Sequence, residues 1–196
     1  MAYGMDVALR LGCITFCPDA FAFGERYKEI QAYHPFWELG IRINNGSNLL
    51  VKILNDVCIG VEAMRKILAN DRLIVNFIGH SYGGRLALWA SNIIDLTNSV
   101  VCCCGAIWYK HSESIDTGTQ IEFVVPNIKA SYDIDTVISN SNAKLLVLIG
   151  GKDDKWCRGL SDIKIDSRIR VKIFDGNHDF SQERKDWMYS MLQGSV

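Results

Sequence analysis

Five short apolar runs, spaced along the chain with helical patterns between them, most constrain how this polypeptide folds. They are Cys13–Cys17, Leu73–Ile78, Val100–Cys104, Leu145–Ile149 and Ile169–Phe174. The first four are almost continuously apolar, as strands must be when both faces of a parallel sheet are covered. The fifth alternates: Ile169, Val171 and Ile173 share one face, and Arg170 and Lys172 the other, which fits an edge strand. Between the runs, Leu50, Ile53, Leu54, Val57, Val61, Met64 and Ile67 recur at spacings of three and four, predicting an amphipathic helix that ends before Asp71. Gly84–Asn92 reads as a short apolar helix, Asp135–Ser139 as a turn or two, and Ser181–Leu192 as a C-terminal helix capped by Ser181. Strands alternating with helices imply right-handed crossovers and an α/β fold with a mostly parallel sheet flanked by helices.

Length and charge narrow the class. The 196 residues fit one domain over 1–196, or a fragment of a longer one. With 21 basic and 22 acidic residues, and aromatics not interleaved with basic clusters, nothing favours a nucleic-acid partner. No apolar stretch approaches a membrane span, and no secretory leader pattern opens the chain. The seven cysteines include no C-x-x-C pair, and Cys102, Cys103 and Cys104 lie in an apolar run. They read as buried thiols of a reducing, cytoplasmic setting rather than as a disulfide framework or zinc site. The segment Lys110–Tyr132 has no clear pattern and fits a loop that shapes a pocket.

Gly79-His80-Ser81-Tyr82-Gly83 lies between a predicted strand and a predicted helix. A sharp strand-to-helix turn lifts a serine hydroxyl clear of the sheet, and glycines on either side relieve crowding in that strained geometry. The helix N-terminus then aims backbone N–H groups at developing negative charge, with the Tyr82 N–H placed as an oxyanion donor. His80, inside the turn, is expected to point away from the hydroxyl. A nucleophilic serine needs a base, and the base an orienting acid. Downstream of Ser81 the described pattern leaves His111, which precedes any acid-bearing strand end, and His178 in Phe174-Asp175-Gly176-Asn177-His178. After Leu145–Ile149 comes Gly150-Gly151-Lys152-Asp153-Asp154, where either aspartate could serve. Asp153 is the favoured acid, and Asp154 reads as a cap for the turn that follows. Asp175 and Asp179 read as turn and cap residues of the histidine loop. Glu25 and Arg26 read as structural ion-pairing residues, Arg85 as paired within the fold, and Trp37, Trp108 and Trp156 as core by default.

The elbow, the Gly-Gly-Lys-Asp-Asp turn and the Gly-Asn-His loop, in that order, resemble the dienelactone hydrolase-like and acetyl esterase-like branch of the α/β-hydrolases. Cys17-Pro18-Asp19 with Phe23-Gly24-Glu25-Arg26, and Val125-Pro126-Asn127 through Asp135, are similar to that branch as well. The resemblance implies a cofactor-free, metal-free serine hydrolase with Ser81, Asp153 and His178 as its triad, acting on a small-molecule carboxylic ester. Ser81 replaces the cysteine typical of dienelactone-cleaving members, which favours ordinary esters. In that branch a strand and a histidine-glycine loop donating the second oxyanion N–H come first, and Met1–Arg10 reads as the helix after them. The expectation is therefore an N-terminally shortened α/β-hydrolase fold. Two other readings share its features: a hydrolase-fold module with impaired or no catalysis, and an amide or peptide hydrolase using the same triad. Acyl group, alcohol and oligomeric state are left open by the sequence.

Overall fold

A computed structural model describes residues 2–20, 24–29, 35–106 and 133–193. The chain divides into two compact units, Met1–Ala69 and Asn70–Val196.

The first unit contains α1 (Ala2–Leu11), a short 3-10 turn at Gly24–Glu29, α2 (Pro35–Asn44) and α3 (Leu49–Ile67). α3 starts where Asn48, in an extended conformation, accepts hydrogen bonds from the N–H groups of Leu50 and Val51, satisfying donors that a helix start leaves orphaned. Its buried stripe of Leu49, Leu50, Ile53, Leu54 and Val61 keeps the predicted spacing in the first part of the helix, whereas Val57 and Met64 are half-buried and Ile67 is exposed. Asp56 on α3 holds both Lys52 and, at 2.8 Å, Arg26. Burial pushes its carboxyl up, but those two cations outweigh it and leave it below the usual carboxylate range. Arg26 is thus an ion-pairing residue, and Glu25 contributes its backbone N–H to Asp19 Oδ2 at 2.7 Å.

The expected strand at Cys13–Cys17 does not form. Its groups turn back onto α1 instead: the Cys13 N–H donates to Ala8 O at 3.3 Å and the Thr15 hydroxyl to Gly4 O at 3.0 Å. Ile14 and Phe16 are 67% and 56% exposed. An apolar run becomes a strand only where a neighbour takes its backbone hydrogen bonds, and among the described residues none does.

The second unit carries the sheet. β1 (Val75–His80), β2 (Thr97–Cys103), β3 (Leu145–Gly151) and β4 (Ile169–Phe174) lie side by side in that order. Every neighbouring pair is parallel. The sheet is flanked by α4 (Tyr82–Ala90), α5 (Ile134–Ser139) and α6 (Gln182–Gln193). β3 is buried along its whole length, consistent with a central strand covered on both faces. One face packs Val100, Cys102, Leu146 and Leu148 against Ala87 and Leu88 of α4 and Val137 and Ile138 of α5. Phe174 belongs to the opposite face, where Trp187 of α6 meets it edge-on at 6.1 Å between ring centres. β4 is an edge strand as its alternation predicts, although Ile173 is exposed and Phe174 buried at its end, because α6 covers the Phe174 face there. No described helix is long and apolar enough to cross a membrane.

All four strands point their C-terminal ends the same way. The turns after β1, β2, β3 and β4 therefore converge on one rim, where α/β sheets place their ligands.

Candidate active site

Ser81 sits at the turn between β1 and α4 with φ 56° and ψ −125°. A non-glycine residue at positive φ costs on the order of 1–3 kcal/mol, so its surroundings must hold it there. Two contacts do so: the Ser81 N–H donates to Cys103 O of β2 at 2.7 Å, and its carbonyl accepts from the Arg85 N–H at 3.2 Å. Gly79 makes the turn possible, since a Cβ there would stand 2.2 Å from the Gly83 backbone. Gly83, by contrast, has open space where its Cβ would be. The crowding falls on Gly79 and, on the helix side, on Gly84, where a Cβ would stand 2.9 Å from Gly79 O. Tyr82 is the first residue of α4, which places its backbone N–H in the helix's first turn.

His178 brings the other groups together. Its Nε2 lies 2.7 Å from Ser81 Oγ, and its Nδ1 lies 2.7 Å from Asp154 Oδ2. A carboxylate only accepts, so the ring proton belongs on Nδ1, leaving Nε2 to accept from the serine hydroxyl. The aspartate that meets the histidine is Asp154, not Asp153. The side chain of Asp154 is 1% exposed, whereas Asp153 is exposed and contributes a backbone N–H to Gly176 O at 3.0 Å. The expected cap role of Asp154 is also real. Its Oδ1 accepts from the Trp156 N–H at 2.9 Å, opening the 3-10 turn Lys155–Cys157, while Oδ2 takes His178 and, at 3.2 Å, the Cys157 thiol. Capping fixes the carboxylate, and its second oxygen is thereby aimed at the imidazole.

The acid turn and the histidine loop are stitched together by backbone. The Lys152 N–H donates to Phe174 O at 2.8 Å, alongside the Asp153 bond to Gly176. Gly151 permits this approach, because a Cβ there would be 2.4 Å from Asn177 O. Below the loop lies Arg184 of α6, itself 1% exposed. Its guanidinium donates to Asn177 O at 2.9 Å and Asp179 O at 2.7 Å, and pairs with Asp179 Oδ1 at 2.6 Å. A buried cation spent on carbonyls of one loop is a clamp on that loop. Nothing in the linear pattern marked Arg184, beyond its place two residues inside the helix that follows His178.

His80 is closer to the histidine than its position in the elbow implied. Its ring centre is 5.0 Å from that of His178, and it stacks on Phe180 at 5.8 Å. Arg85 is buried and donates from Nε to Gly105 O at 3.2 Å. His111, Trp108, the side chain of Trp37 and the Lys110–Tyr132 loop lie outside the described residues.

Around the Asp154–His178 pair is a group of buried thiols. Cys104, at the end of β2 with φ 54°, lies 3.3 Å from Arg184 Nη1 and 3.9 Å from the Cys103 sulfur. Hydrogen bonds from the Cys103 and Cys157 thiols, then from His80 and the charge of Arg184, hold the Cys104 thiol well below its ordinary range. The same contact to Cys104, together with burial, pushes Cys103 and Cys157 up. Cys102 faces the core, and burial pushes it up to about 12.

Comparison with solved structures fixes the architecture. An acylaminoacyl peptidase from Pyrococcus horikoshii superposes with a TM-score of 0.55 at 18% identity, over 74% of this chain and 27% of that one. Acetyl xylan esterase 1 from Thermoanaerobacterium gives 0.54 at 15% identity, over 74% and 52%. A CE15 esterase from a marine bacterial metagenome gives 0.61 at 14% identity, over 93% and 55%. The chain has the α/β-hydrolase fold. It spans between about a quarter and just over half of the length of these structures. No protein-family model and no curated protein matches its sequence.

Proposed function

We propose that this chain is a serine hydrolase of carboxylic esters, working through Ser81, His178 and Asp154. The observation that carries the reading is the pair of 2.7 Å contacts that His178 makes, one to a serine and one to a buried carboxylate. In the proposed cycle, Ser81 Oγ attacks the ester carbonyl carbon as its proton passes to His178 Nε2. The resulting oxyanion faces the start of α4, where the Tyr82 N–H is a donor. Asp154 keeps the ring proton on Nδ1 and stabilises the imidazolium, which then protonates the departing alcohol. Water, deprotonated by the same Nε2, attacks the acyl-enzyme and returns Ser81. The first step moves a proton between groups already in contact, and no step calls for a metal or an organic cofactor. Seven free thiols favour placing this chemistry in a reducing, cytoplasmic compartment.

Esters are preferred to amides because the resemblance of the three motifs is to an esterase branch, and two of the structural neighbours above are esterases. The acylaminoacyl peptidase supports a second reading, amide hydrolysis by the same groups. Turnover of a short-chain aryl ester by the purified chain, with Ser81→Ala as control, tests the first. The substitution is expected to lower kcat by on the order of a million-fold, and equal rates would end the proposal. A panel of esters and amides matched in acyl group separates the two readings: a higher kcat/KM for the amides would favour peptidase chemistry.

A further inference from the structure

Three different donor types meet behind the catalytic histidine. The sulfur of Cys104, the carboxylate of Asp154 and the ring of His178 offer atoms that all lie within 4.8 Å of one another. A tetrahedral Zn2+ with sulfur at about 2.3 Å and nitrogen or oxygen at about 2.0–2.1 Å needs donors roughly 3.3–3.8 Å apart. One thiolate and one carboxylate together balance a dication, and imidazole is its commonest nitrogen ligand. The carboxylate and the sulfur are buried, while the His178 side chain is 29% exposed and opens a way in.

We propose that Cys104, Asp154 and His178 form a binding site for a thiophilic divalent cation of the Zn2+ class, and that occupancy switches the hydrolase off. The imidazole edge facing Asp154 is Nδ1, so coordination there takes that nitrogen's lone pair and the ring's one proton moves to Nε2. With Nε2 protonated, the neutral metal-bound ring has no lone pair left to accept the Ser81 proton. Cys104 is buried, and its sulfur also lies 3.3 Å from Arg184 Nη1. Sharing the sulfur with a guanidinium also weakens the cation's hold, so binding is reversible by a chelator. His80, Cys103 and Cys104 form a second possible set. That set offers no oxygen donor and does not include His178, so the triad side is the one whose occupancy acts on Ser81.

The switching half of this inference rests on the hydrolase reading, whereas the binding half has its own readout. Cd2+ titrated into the full chain reports thiolate ligation through its ultraviolet charge-transfer band, and Zn2+ competes for the site. One equivalent of Cd2+ should develop the band. Saturating Zn2+ should cut ester turnover by at least about tenfold, with recovery on adding EDTA. Cys104→Ser should lose both the band and the inhibition. Asp154→Asn, which retains an oxygen to cap Trp156, should keep the band and bind Cd2+ at least about tenfold more weakly. This second variant decides the matter if Cys104→Ser does not fold. An absent band in wild type, or equal inhibition of wild type and Cys104→Ser, overturns the proposal. So does loss of the band in Cys103→Ser while Asp154→Asn binds like wild type, since the cation would then sit beside His80. A metal-free wild type with no ester turnover would defeat the hydrolase reading and the switch, and the cadmium titration would still decide the site.

Discussion

The turn after β1 and the turn after β3 each deliver one partner to His178, and they do so by opposite means. The first positions Ser81 with its main chain. A residue at φ 56° is held by backbone hydrogen bonds, and a glycine admits the close crossing. The second uses a side chain. Asp154 has an ordinary extended backbone, φ −84° and ψ 112°, and its carboxylate is aimed by what it caps and what surrounds it. A group fixed by backbone leaves a signature in glycine spacing. One fixed by side-chain partners leaves almost none, because those partners are scattered over Trp156, Cys157 and His178.

The comparison is broken most severely by exchanging the two aspartates of the acid turn. Asp154→Asn should lower ester kcat by about ten-thousand-fold through loss of the correct imidazole tautomer. Asp153→Asn, on an exposed side chain, should stay within about threefold of wild type. Steady-state kinetics on both variants checks this, and the reverse ranking would restore Asp153 as the acid.

Next in size is the serine turn. Gly79→Ala places a methyl 2.2 Å from the Gly83 backbone, and the shift needed to relieve it should cost about a hundredfold or more in turnover. Gly83→Ala meets nothing and lies inside α4, so it should be neutral or stabilise by up to about 1 kcal/mol. Thermal melts alongside the rate assays separate misplacement from unfolding.

Smaller effects sharpen the side-chain half of the contrast. Arg184→Met leaves loop carbonyls at Asn177 and Asp179 without their donor and should cost on the order of 3 kcal/mol in stability. Its turnover should fall through disorder at His178, with Arg184→Lys intermediate in denaturant midpoint. Cys157→Ala removes the thiol's contacts with Asp154 Oδ2 and with Cys104, worth about 1 kcal/mol, and turnover should fall by about fivefold.

The same division explains what the sequence revealed. β2 and β3 are legible because the runs Val100–Cys104 and Leu145–Ile149 are buried on both faces and need no distant information, and β4 is legible from its alternation. α3 is legible from its spacing and its asparagine cap. Cys13–Cys17 has the same apolar character, yet pairing is a property of neighbours, and its polar groups found α1. At the site, Ser81 and His178 stand out by residue type and chain order. Asp154 is legible both as a cap and as one of two candidate acids, but the cap reading puts Asp153 ahead, whereas the two duties belong to two oxygens of one carboxylate. Arg184 and the convergence of Cys103, Cys104 and Cys157 depend on which strand ends meet, which a linear reading does not contain.

The central claim is that Ser81 is activated through His178 by Asp154. The rate at which a fluorophosphonate labels the chain, followed by peptide mass mapping, tests it most directly. The account predicts one adduct per chain on Ser81, formed at wild-type rate in Asp153→Asn and slowed by about a thousandfold or more in Asp154→Asn and His178→Ala. Labelling of Ser81 at the same rate in all four proteins, or an adduct on another residue, would contradict it.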